Sequence, residues 1–466
     1  MFYKNELNYD FKKSQEYFTK FLKKATADKN SEMIFKASNN LAVLYNIEKK
    51  DSALYYITNG IKYAKEDLTL ARLYVNKAEY YFNKNDTGNA IKTLQSALQL
   101  TLPTKTDSAI TFSPSFKTLT ASKHPSLSTL ALKNKAKYIL EDNELSKNQE
   151  LLQLAYQSIS LADRMIDFIR IESLENDSKL LRQEAASNIY MLGVKACYKL
   201  NKPNEAFYFI EKNRALLLLE NIKNKTNSSL PAAILQQEQE YKKRIYALEN
   251  QLNLTESSAL KNEYHSLKID YNNFIKSLEV SYPAYYNAKQ NIHVENIASI
   301  KEVLDDHTTI LEYIINKEHG FLLIITKDNT RLLDLGDTKN LETKINEYLK
   351  RIRHPLKTSE ELENYNKTAH YLYNTLLPIK DPTILKNKLV IIPDYTLQNL
   401  PFESLKNNDK YLIEDFEISY AYSLTFLNSN KSIKREAPQS FIGFAPSHLI
   451  TIIYKPCLAV RLKLLL

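Results

Sequence analysis

The chain has 466 residues, enough for two to four domains at roughly 100–200 residues each. Its 44% of hydrophobic residues suffices for a core, whereas only 6 glycines and 14 prolines disfavour an all-β protein with many turns. The net charge of +9 comes mostly from lysines spread along amphipathic helices, which is typical of solvated helix faces. Nucleic-acid binding is the alternative. No arginine-rich cluster or aromatic-basic module supports it, so we predict no nucleic-acid partner.

The two cysteines, Cys197 and Cys457, lie in different predicted domains, which excludes a disulfide framework and a cysteine-based metal site. The N-terminus has no apolar segment of the signal-peptide type, and no stretch reaches the about 18 apolar residues of a membrane span. We therefore expect a cytoplasmic protein with no membrane segment, no cofactor and no bound metal.

Residues 1–228 are predicted to form helical repeats. The segment Asn40-Leu41-Ala42-x-x-Tyr45 precedes Ala53, and Asn76-Lys77-Ala78-x-x-Tyr81 precedes Ala90, at an offset of 36 or 37 residues. This offset is close to the 34-residue helix-turn-helix period, so the pattern resembles tetratricopeptide repeats. Stacked helix pairs of this kind present a concave surface that binds proteins or peptides; the alternative is that they only scaffold the rest of the chain.

A segment rich in Ser, Thr and Pro, at about 104–127, is predicted to be a loop inserted between repeats, with His124 on its surface. Helices are predicted to resume at Leu130, and a further helix pair is predicted from Ala185 to about Ile222. Residues 229–290 then show two apolar stripes at helical spacing with a polar turn, Leu254–Ser258, between them. We predict an antiparallel helical hairpin that connects the repeats to the C-terminal part of the chain.

Residues 291–466 are predicted to form an α/β domain. The run Leu389–Ile392 is apolar and mostly β-branched, which indicates a strand buried on both faces and a sheet that is at least partly parallel. Three β-rich runs before it predict an antiparallel meander: Thr309–Ile315, Phe321–Thr326 and Thr330–Leu335. Helices are predicted near Thr338 and after a capping box formed by Thr358 and Glu361.

The strand at Leu389 ends in a distinctive motif. Pro393 cannot donate to a ladder, and Asp394 favours a local side-chain turn, so the strand stops there. Pro401 is suited to open a short helix that places Glu403 in its first turn, where the helix dipole favours an acid. A half-buried strand is predicted at Phe416, Ile418 and Tyr420, with Ser423 capping a short helix after it. Phe441–Phe444 is predicted to be a further strand.

These segments together resemble the CHAT-domain proteins, in which a caspase-like cysteine-peptidase domain follows tetratricopeptide repeats. Ile391-Ile392-Pro393-Asp394 and Leu400-Pro401-Phe402-Glu403-Ser404-Leu405 carry the resemblance most specifically. Other matching segments are Glu211–Ala215, Ser281–Tyr286, Ile310–Tyr313, Tyr411–Glu414, Ile418–Ala421 and Phe441-x-Gly443-Phe444-Ala445-Pro446. Tyr395 departs from the pattern, since the family often has Gly after the Pro-Asp pair.

The resemblance implies an α+β multidomain fold. It comprises an N-terminal all-α superhelix like that of tetratricopeptide repeats, a helical hairpin connector and a C-terminal partial caspase-like α/β domain. The family-motif residues to which we assign a structural role are Pro393, Asp394, Pro401, Phe402, Glu403 and Gly443.

The resemblance also implies a catalytic His and Cys on strands downstream of Pro446, and the expected His-Gly and Cys-Glu-Thr segments are missing from the sequence. His448 and Cys457 flank one strand-like run, whose ends would lie about 30 Å apart when extended. The other histidines of this region (His293, His307, His319, His354 and His370) are predicted to be surface or packing residues. We therefore predict no catalytic, cofactor-binding or metal-binding residue, and we hypothesise that the terminal run Thr451–Leu466 reflects a truncation, deletion or frameshift.

The predicted function is that of a protein-protein interaction protein, which binds peptide or protein partners through the repeats while the peptidase-like domain is incomplete and inactive. The alternative is a caspase-like cysteine endopeptidase, whose catalytic half is missing from this chain or supplied otherwise.

Overall fold

The computed structural model describes residues 10–103, 109–172, 179–226, 231–254, 257–282 and 294–431. In this part of the chain, ten helices come first and a mixed sheet flanked by helices comes last, which confirms the predicted α+β multidomain fold. The first ten helices are α1 (Phe11–Ala27), α2 (Ser31–Ile47), α3 (Ser52–Tyr63), α4 (Asp67–Asn83), α5 (Thr87–Thr101), α6 (Phe116–Thr120), α7 (Pro125–Glu141), α8 (Gln149–Glu172), α9 (Lys179–Lys199) and α10 (Pro203–Thr226).

Short polar turns separate these helices, and their chemistry follows from the local sequence. The side chains of Asp10, Asn30 and Asp86 each accept a hydrogen bond from the backbone N–H three residues on, which caps α1, α2 and α5. Four helices end two residues before a non-glycine residue in the left-handed region of backbone conformation. These residues are Lys29, Lys49, Asn85 and Asn201.

Side-chain amides connect the first helices of the two repeats recognised in the sequence, α2 and α4. Asn46 Nδ2 donates to the carbonyl oxygen of Asn76 (2.8 Å), and Asn76 Nδ2 donates to Asn39 Oδ1 (2.9 Å). Asn83 Nδ2 donates to the carbonyl oxygen of Asn46 (3.1 Å). Asn39 and Asn76, like Asn46 and Asn83, are 37 residues apart, so the sequence offset reappears as a repeated contact between neighbouring helices.

The segment at about 104–127, predicted to be a loop or long insertion between repeats, contains helical residues in its described part. Ser115 caps the short helix α6, and α7 begins at Pro125, not at Leu130 as predicted. The reason is that proline has no N–H to lose and a backbone φ angle that suits the first helical position. His124 directly precedes this helix and is half-buried, and burial lowers the pKa of its imidazole.

The predicted helical hairpin is present as α11 (Ala232–Leu254) and α12 (Ser258–Ser281). Ser257 caps α12 by accepting a hydrogen bond from the backbone N–H of Leu260. The two apolar stripes meet in a core of their own, which contains Ile245, Leu248, Leu267, Tyr271, Phe274, Ile275 and Leu278.

The last part of the described chain contains a five-stranded sheet. Its strands are β1 (Thr308–Ile315), β2 (His319–Ile325), β3 (Thr330–Asp337), β4 (Lys388–Ile392) and β7 (Glu417–Tyr420), and β5 (Lys406–Asn407) and β6 (Lys410–Tyr411) form a separate small hairpin. The order in the sheet is β3-β2-β1-β4-β7. β1, β2 and β3 form the predicted antiparallel meander, whereas β4 lies parallel to both β1 and β7. The remaining helices are α13 (Ile297–Glu302), α14 (Leu341–Ile352), α15 (Ser359–Leu376), α16 (Leu412–Asp415) and α17 (Leu424–Lys431).

Helices cover both faces of this sheet. Along β1, Leu311, Tyr313 and Ile315 face a core shared with α14 and α15, whereas Ile310 and Ile314 share a core with α9 and α10 of the helical region. Because side chains alternate along a strand, Glu312 lies on the same face as Ile310 and Ile314, toward α10. The capping box predicted at Thr358 and Glu361 is confirmed at the start of α15.

Candidate functional site

The three parallel strands β1, β4 and β7 end at one edge of the sheet. In α/β sheets, ligands and reacting groups lie outside this carboxyl edge, because loops from several strands converge there. The Pro393-Asp394 motif follows β4 directly, so the family-motif residues are at this edge. The carboxyl edge is therefore the candidate site.

Asp394 ties two strands together. Its Oδ2 accepts a hydrogen bond from the backbone N–H of Ile315, the last residue of β1, at 2.9 Å. Asp394 is only 8% exposed. The predicted local side-chain turn at Asp394 is thus wrong. The carboxylate instead satisfies the main chain of the neighbouring strand, because the N–H at the end of β1 is buried and needs an acceptor there.

Tyr395 has a φ angle of +48°, in the left-handed region where glycine is favoured. The family often has Gly at this position. In this chain Tyr395 adopts the same left-handed backbone conformation, so the turn is retained despite the substitution. The phenol hydroxyl donates to Glu342 Oε2 at the start of α14, at 2.8 Å. This bond attaches the turn to α14.

The second motif, Pro401-Phe402-Glu403, forms a single 3₁₀ turn, and it fixes β7 in the sheet. Phe402 is fully buried, and its backbone N–H donates to the hydroxyl of Tyr420 (3.0 Å). The same hydroxyl donates to Glu403 Oε2 (2.8 Å). Glu403 lies in the first turn, as predicted, and it also holds the end of β7 through Tyr420.

Arg214 of α10 occupies the space at the ends of β1 and β4. Its Nη2 donates to the carbonyl oxygens of Tyr313 (2.6 Å) and Ile392 (3.2 Å). Its Nη1 donates to the carbonyl oxygens of Pro393 (3.1 Å) and Tyr422 (3.2 Å). One side chain of the helical region thus binds main-chain carbonyls of three separate segments of the sheet domain.

Two glutamates accompany Arg214. Glu211, one turn earlier on α10, accepts hydrogen bonds from the backbone N–H groups of Leu424 (3.0 Å) and Thr425 (2.8 Å), at the start of α17. A carboxylate in this position interacts favourably with the helix dipole. Glu312 on β1 is fully buried, with Oε1 at 3.3 Å from the Nε of Arg214.

Burial and the nearby carboxylate of Glu211 raise the pKa of Glu312 well above its ordinary value, and the attraction of Arg214 only partly opposes them. Glu211, Arg214 and Glu312 together form a charged junction between the helical region and the sheet. We call these three residues the α10 junction.

The described residues near this edge provide no nucleophile with a base. Cys197 lies in the helical core, and burial raises the pKa of its thiol, which makes it a poor nucleophile. His319 Nε2 contacts Asp334 at 2.7 Å, and His370 Nε2 contacts Asn374 at 2.9 Å, so each ring is paired with a side chain that is not a nucleophile. Gly443, His448 and Cys457 lie outside the described residues.

Within the described residues, no group of three or more His, Cys, Asp or Glu side chains is arranged to hold a metal ion. In the same part of the chain, no helix has the length and apolar character needed to cross a bilayer.

The fold defines this protein as a helical region packed on a mixed α/β sheet with a Pro-Asp turn at its carboxyl edge. Residues 366–457, in the C-terminal part of the chain, match the family model of the CHAT domain. The resemblance inferred from the sequence motifs is thereby confirmed. No curated protein sequence matches the chain.

Sequence reasoning missed the role of Glu211 and Arg214. We recognised Glu211–Ala215 only as a family segment at the end of the repeats. The signal was present: Glu211, Lys212, Asn213 and Arg214 are four consecutive polar residues between two apolar runs, 206–210 and 215–219, and the structure buries all four. Buried charges in such a run require partners on another element.

Proposed function

We propose that this chain is a protein-binding protein of the CHAT type. In this proposal, residues 1–228 bind a peptide or protein partner, residues 229–290 are a connector, and the domain from 291 onward has a structural role. The observation that carries the proposal is the position of Arg214. Its side chain donates hydrogen bonds to main-chain carbonyls at the ends of β1 and β4, so the helical region is attached to the carboxyl edge of the sheet.

The α10 junction also supports a binding role for the helical region. Arg214 and Glu211 attach the last helix of the region to the ends of β1 and β4 and to the start of α17. A partner that binds the helices is thus connected to the sheet by hydrogen bonds. Such a connection is useful to a protein that reports binding to a second domain.

An apolar cleft of about 110 Å³ between α7, α8 and α9 is large enough to bind one side chain of a partner. It is lined by Ser126, Thr129, Leu130, Lys133, Ile166, Ile169 and Ile189. Most lining residues are apolar, whereas Lys133 adds a positive charge at the cleft. This combination suits a peptide that places an apolar side chain next to an acidic group.

The test is selection of ligands from a random peptide library on the immobilised full chain, followed by affinity measurement in solution. We expect a Leu130→Glu variant to bind a selected peptide at least about tenfold more weakly, because a charge replaces an apolar wall of the cleft. Tyr55→Ala is the matched control, since Tyr55 is 67% exposed on α3, away from the cleft. Equal affinity for all three proteins, or failure to select any peptide, would contradict the proposal.

A cysteine endopeptidase is the second candidate, and one observation favours it. The family match extends to residue 457, so it includes both His448 and Cys457. In such an enzyme the thiolate attacks the peptide carbonyl, and the imidazole holds the thiol ionised and protonates the leaving amine.

An activity-based thiol probe separates the two candidates. We expect no labelling of the purified chain that depends on Cys457. Labelling that disappears in Cys457→Ala and is blocked in His448→Ala would establish the peptidase. The unreactive, buried Cys197 remains in both variants and serves as the internal control for non-specific labelling.

A further inference from the structure

Glu312 is a fully buried acid with an incomplete set of partners. Among the described residues, neither of its carboxyl oxygens receives a hydrogen bond, although Oε1 lies 3.3 Å from the Nε of Arg214. The Nε atom also lacks an aligned acceptor, so this contact is an ion-pair distance without the geometry of a hydrogen bond. The carboxyl of Glu211 is close enough to share a hydrogen bond with Glu312.

The charges at the α10 junction do not balance if both acids are ionised. Arg214 supplies one positive charge, and its Nη atoms are already bound to main-chain carbonyls. Glu211 accepts hydrogen bonds from the two backbone N–H groups at the start of α17, where the helix dipole favours a carboxylate. An ionised Glu312 would leave one uncompensated negative charge in the core, which is among the most costly arrangements in a protein.

The other polar groups that the structure describes around the junction do not supply the missing positive charge. Asp394, after β4, is an acid engaged with the N–H of Ile315, and Tyr422, before α17, is a phenol whose carbonyl binds Arg214. Lys212, also on α10, is paired with Asp167 of α8 at 2.7 Å. A proton on Glu312 balances the charge and gives Glu312 a donor for Glu211.

We propose that Glu312 is a buried proton-binding site, which holds a proton at neutral pH, donates it in a hydrogen bond to Glu211, and loosens the α10 junction when the proton is lost. The ligand is the proton itself, and the device makes the attachment of α10 to the sheet sensitive to alkaline pH. This proposal does not depend on the function of the helical region.

The direction of the pH effect follows from the raised pKa of Glu312. The folded protein retains this proton at pH values where the unfolded chain, with an ordinary carboxyl pKa, has lost it. The stabilisation is therefore complete below the ordinary pKa of glutamate and is lost as pH rises through the pKa in the folded state. Over that window, the constant for local opening rises up to about tenfold per pH unit for one proton.

Hydrogen exchange of the full chain, measured by mass spectrometry from pH 5 to pH 9 and corrected for intrinsic exchange rates, tests the proposal. The readout is the opening constant of peptides from α10 and β1. Glu312→Gln mimics the protonated acid. We expect it to reduce the pH dependence of the opening constant by the contribution of one proton and to keep the junction closed at high pH. Glu360→Gln, an exposed acid at the start of α15, is the matched control and should keep the wild-type slope.

Identical slopes for wild type and Glu312→Gln would overturn the proposal. So would a Glu312→Gln junction that opens more than wild type at pH 5, since that result would mean that an ionised Glu312 stabilises the junction.

Infrared difference spectra of the wild-type protein test for the proton on Glu312 even if the variant does not fold. Labelling with ¹³C-glutamate and comparing pH 7 with strongly alkaline pH should reveal the carbonyl band of a protonated glutamic acid at pH 7. Absence of this band at pH 7 contradicts the proposal whether or not the variant folds.

Discussion

Two buried cations, Lys135 in the helical region and Arg214 at the α10 junction, are stabilised in different ways. Lys135 on α7 is 1% exposed and donates to Gln95 Oε1 (3.1 Å) and the carbonyl oxygen of Phe112 (3.0 Å). Both of these acceptors are neutral. Arg214 is 3% exposed and binds four main-chain carbonyls, with two acids beside it.

The difference shows how each side chain tolerates burial. Burial lowers the pKa of the Lys135 ammonium to about 8, so this residue can release its charge near neutral pH. A guanidinium cannot be deprotonated in a protein, so Arg214 must keep its charge and its partners. Lys135 is therefore a local packing residue with adjustable charge, whereas Arg214 requires the sheet to be in place.

Arg214→Met tests this comparison and is expected to cause the largest loss in the free energy of unfolding. The variant removes the donors to four main-chain carbonyls and the positive charge of the α10 junction, so we expect the junction to lose about 3–5 kcal/mol. Urea unfolding of the full chain by circular dichroism measures the loss, and hydrogen exchange of α10 locates it.

Arg331→Met is the control for Arg214→Met. Arg331 is 44% exposed by side chain and contacts Asp381 at 3.5 Å, so its loss should cost about 0–1 kcal/mol. If both arginine variants lost the same small amount, the junction would contribute nothing beyond a surface ion pair.

The second test is Lys135→Met, measured as a function of pH. The folded protein gives up the Lys135 proton near pH 8, whereas the unfolded chain keeps it until about 10.5, so wild-type stability should rise with pH between these values. The unfolding constant of the helical region should fall about tenfold per pH unit in the wild type, and this slope should be absent in the variant.

Exposed Lys13→Met, on α1, is the matched control and should keep the wild-type slope. The same slope in Lys135→Met would show that Lys135 is not the titrating group. The expected direction is opposite to that of Glu312, so the two buried sites can be distinguished in one pH series.

The smallest change in stability is expected at Tyr395, two residues after Pro393, whose carbonyl oxygen accepts a hydrogen bond from Arg214. Tyr395→Gly should stabilise the protein by about 1 kcal/mol, because glycine adopts a φ angle of +48° without the steric cost that a side chain incurs. Thermal unfolding measures the change.

Tyr395→Phe keeps the strained backbone and removes only the hydrogen bond to Glu342, so it should be neutral or slightly destabilising. A loss of stability in Tyr395→Gly larger than that in Tyr395→Phe would indicate that the ring, not the backbone, dominates at this turn.

The predictions that the structure confirms rest on local patterns. The apolar run at Leu389 becomes β4, an interior strand of the sheet, the two stripes of the hairpin meet in their own core, and Thr358 and Glu361 form the predicted capping box. Each depends on residues within a few positions of one another, which is the range over which periodicity and capping act. The wrong helix start at Leu130 is also local: proline at the first helical position extends α7 by about one turn.

The candidate site depended on contacts that no local pattern contains. Arg214 and Pro393 are 179 residues apart, and Asp394 bonds to Ile315, 79 residues earlier. From the sequence, Asp394 suggested a turn and Arg214 only a family segment. The partners of a buried charge are set by the packing of distant elements, so the sequence indicates the need for a partner and leaves its identity open.

The sequence by itself determined the order of the elements, the partly parallel character of the sheet and the relation to the CHAT domain. These follow from hydrophobic periodicity and from short motifs such as Ile-Ile-Pro-Asp, which act within one element or turn. Only the tertiary structure decided that α10 packs on the sheet and that Arg214 reaches its carboxyl edge. It also placed Glu312 between opposite charges, because burial of a charged group is a property of the assembled core.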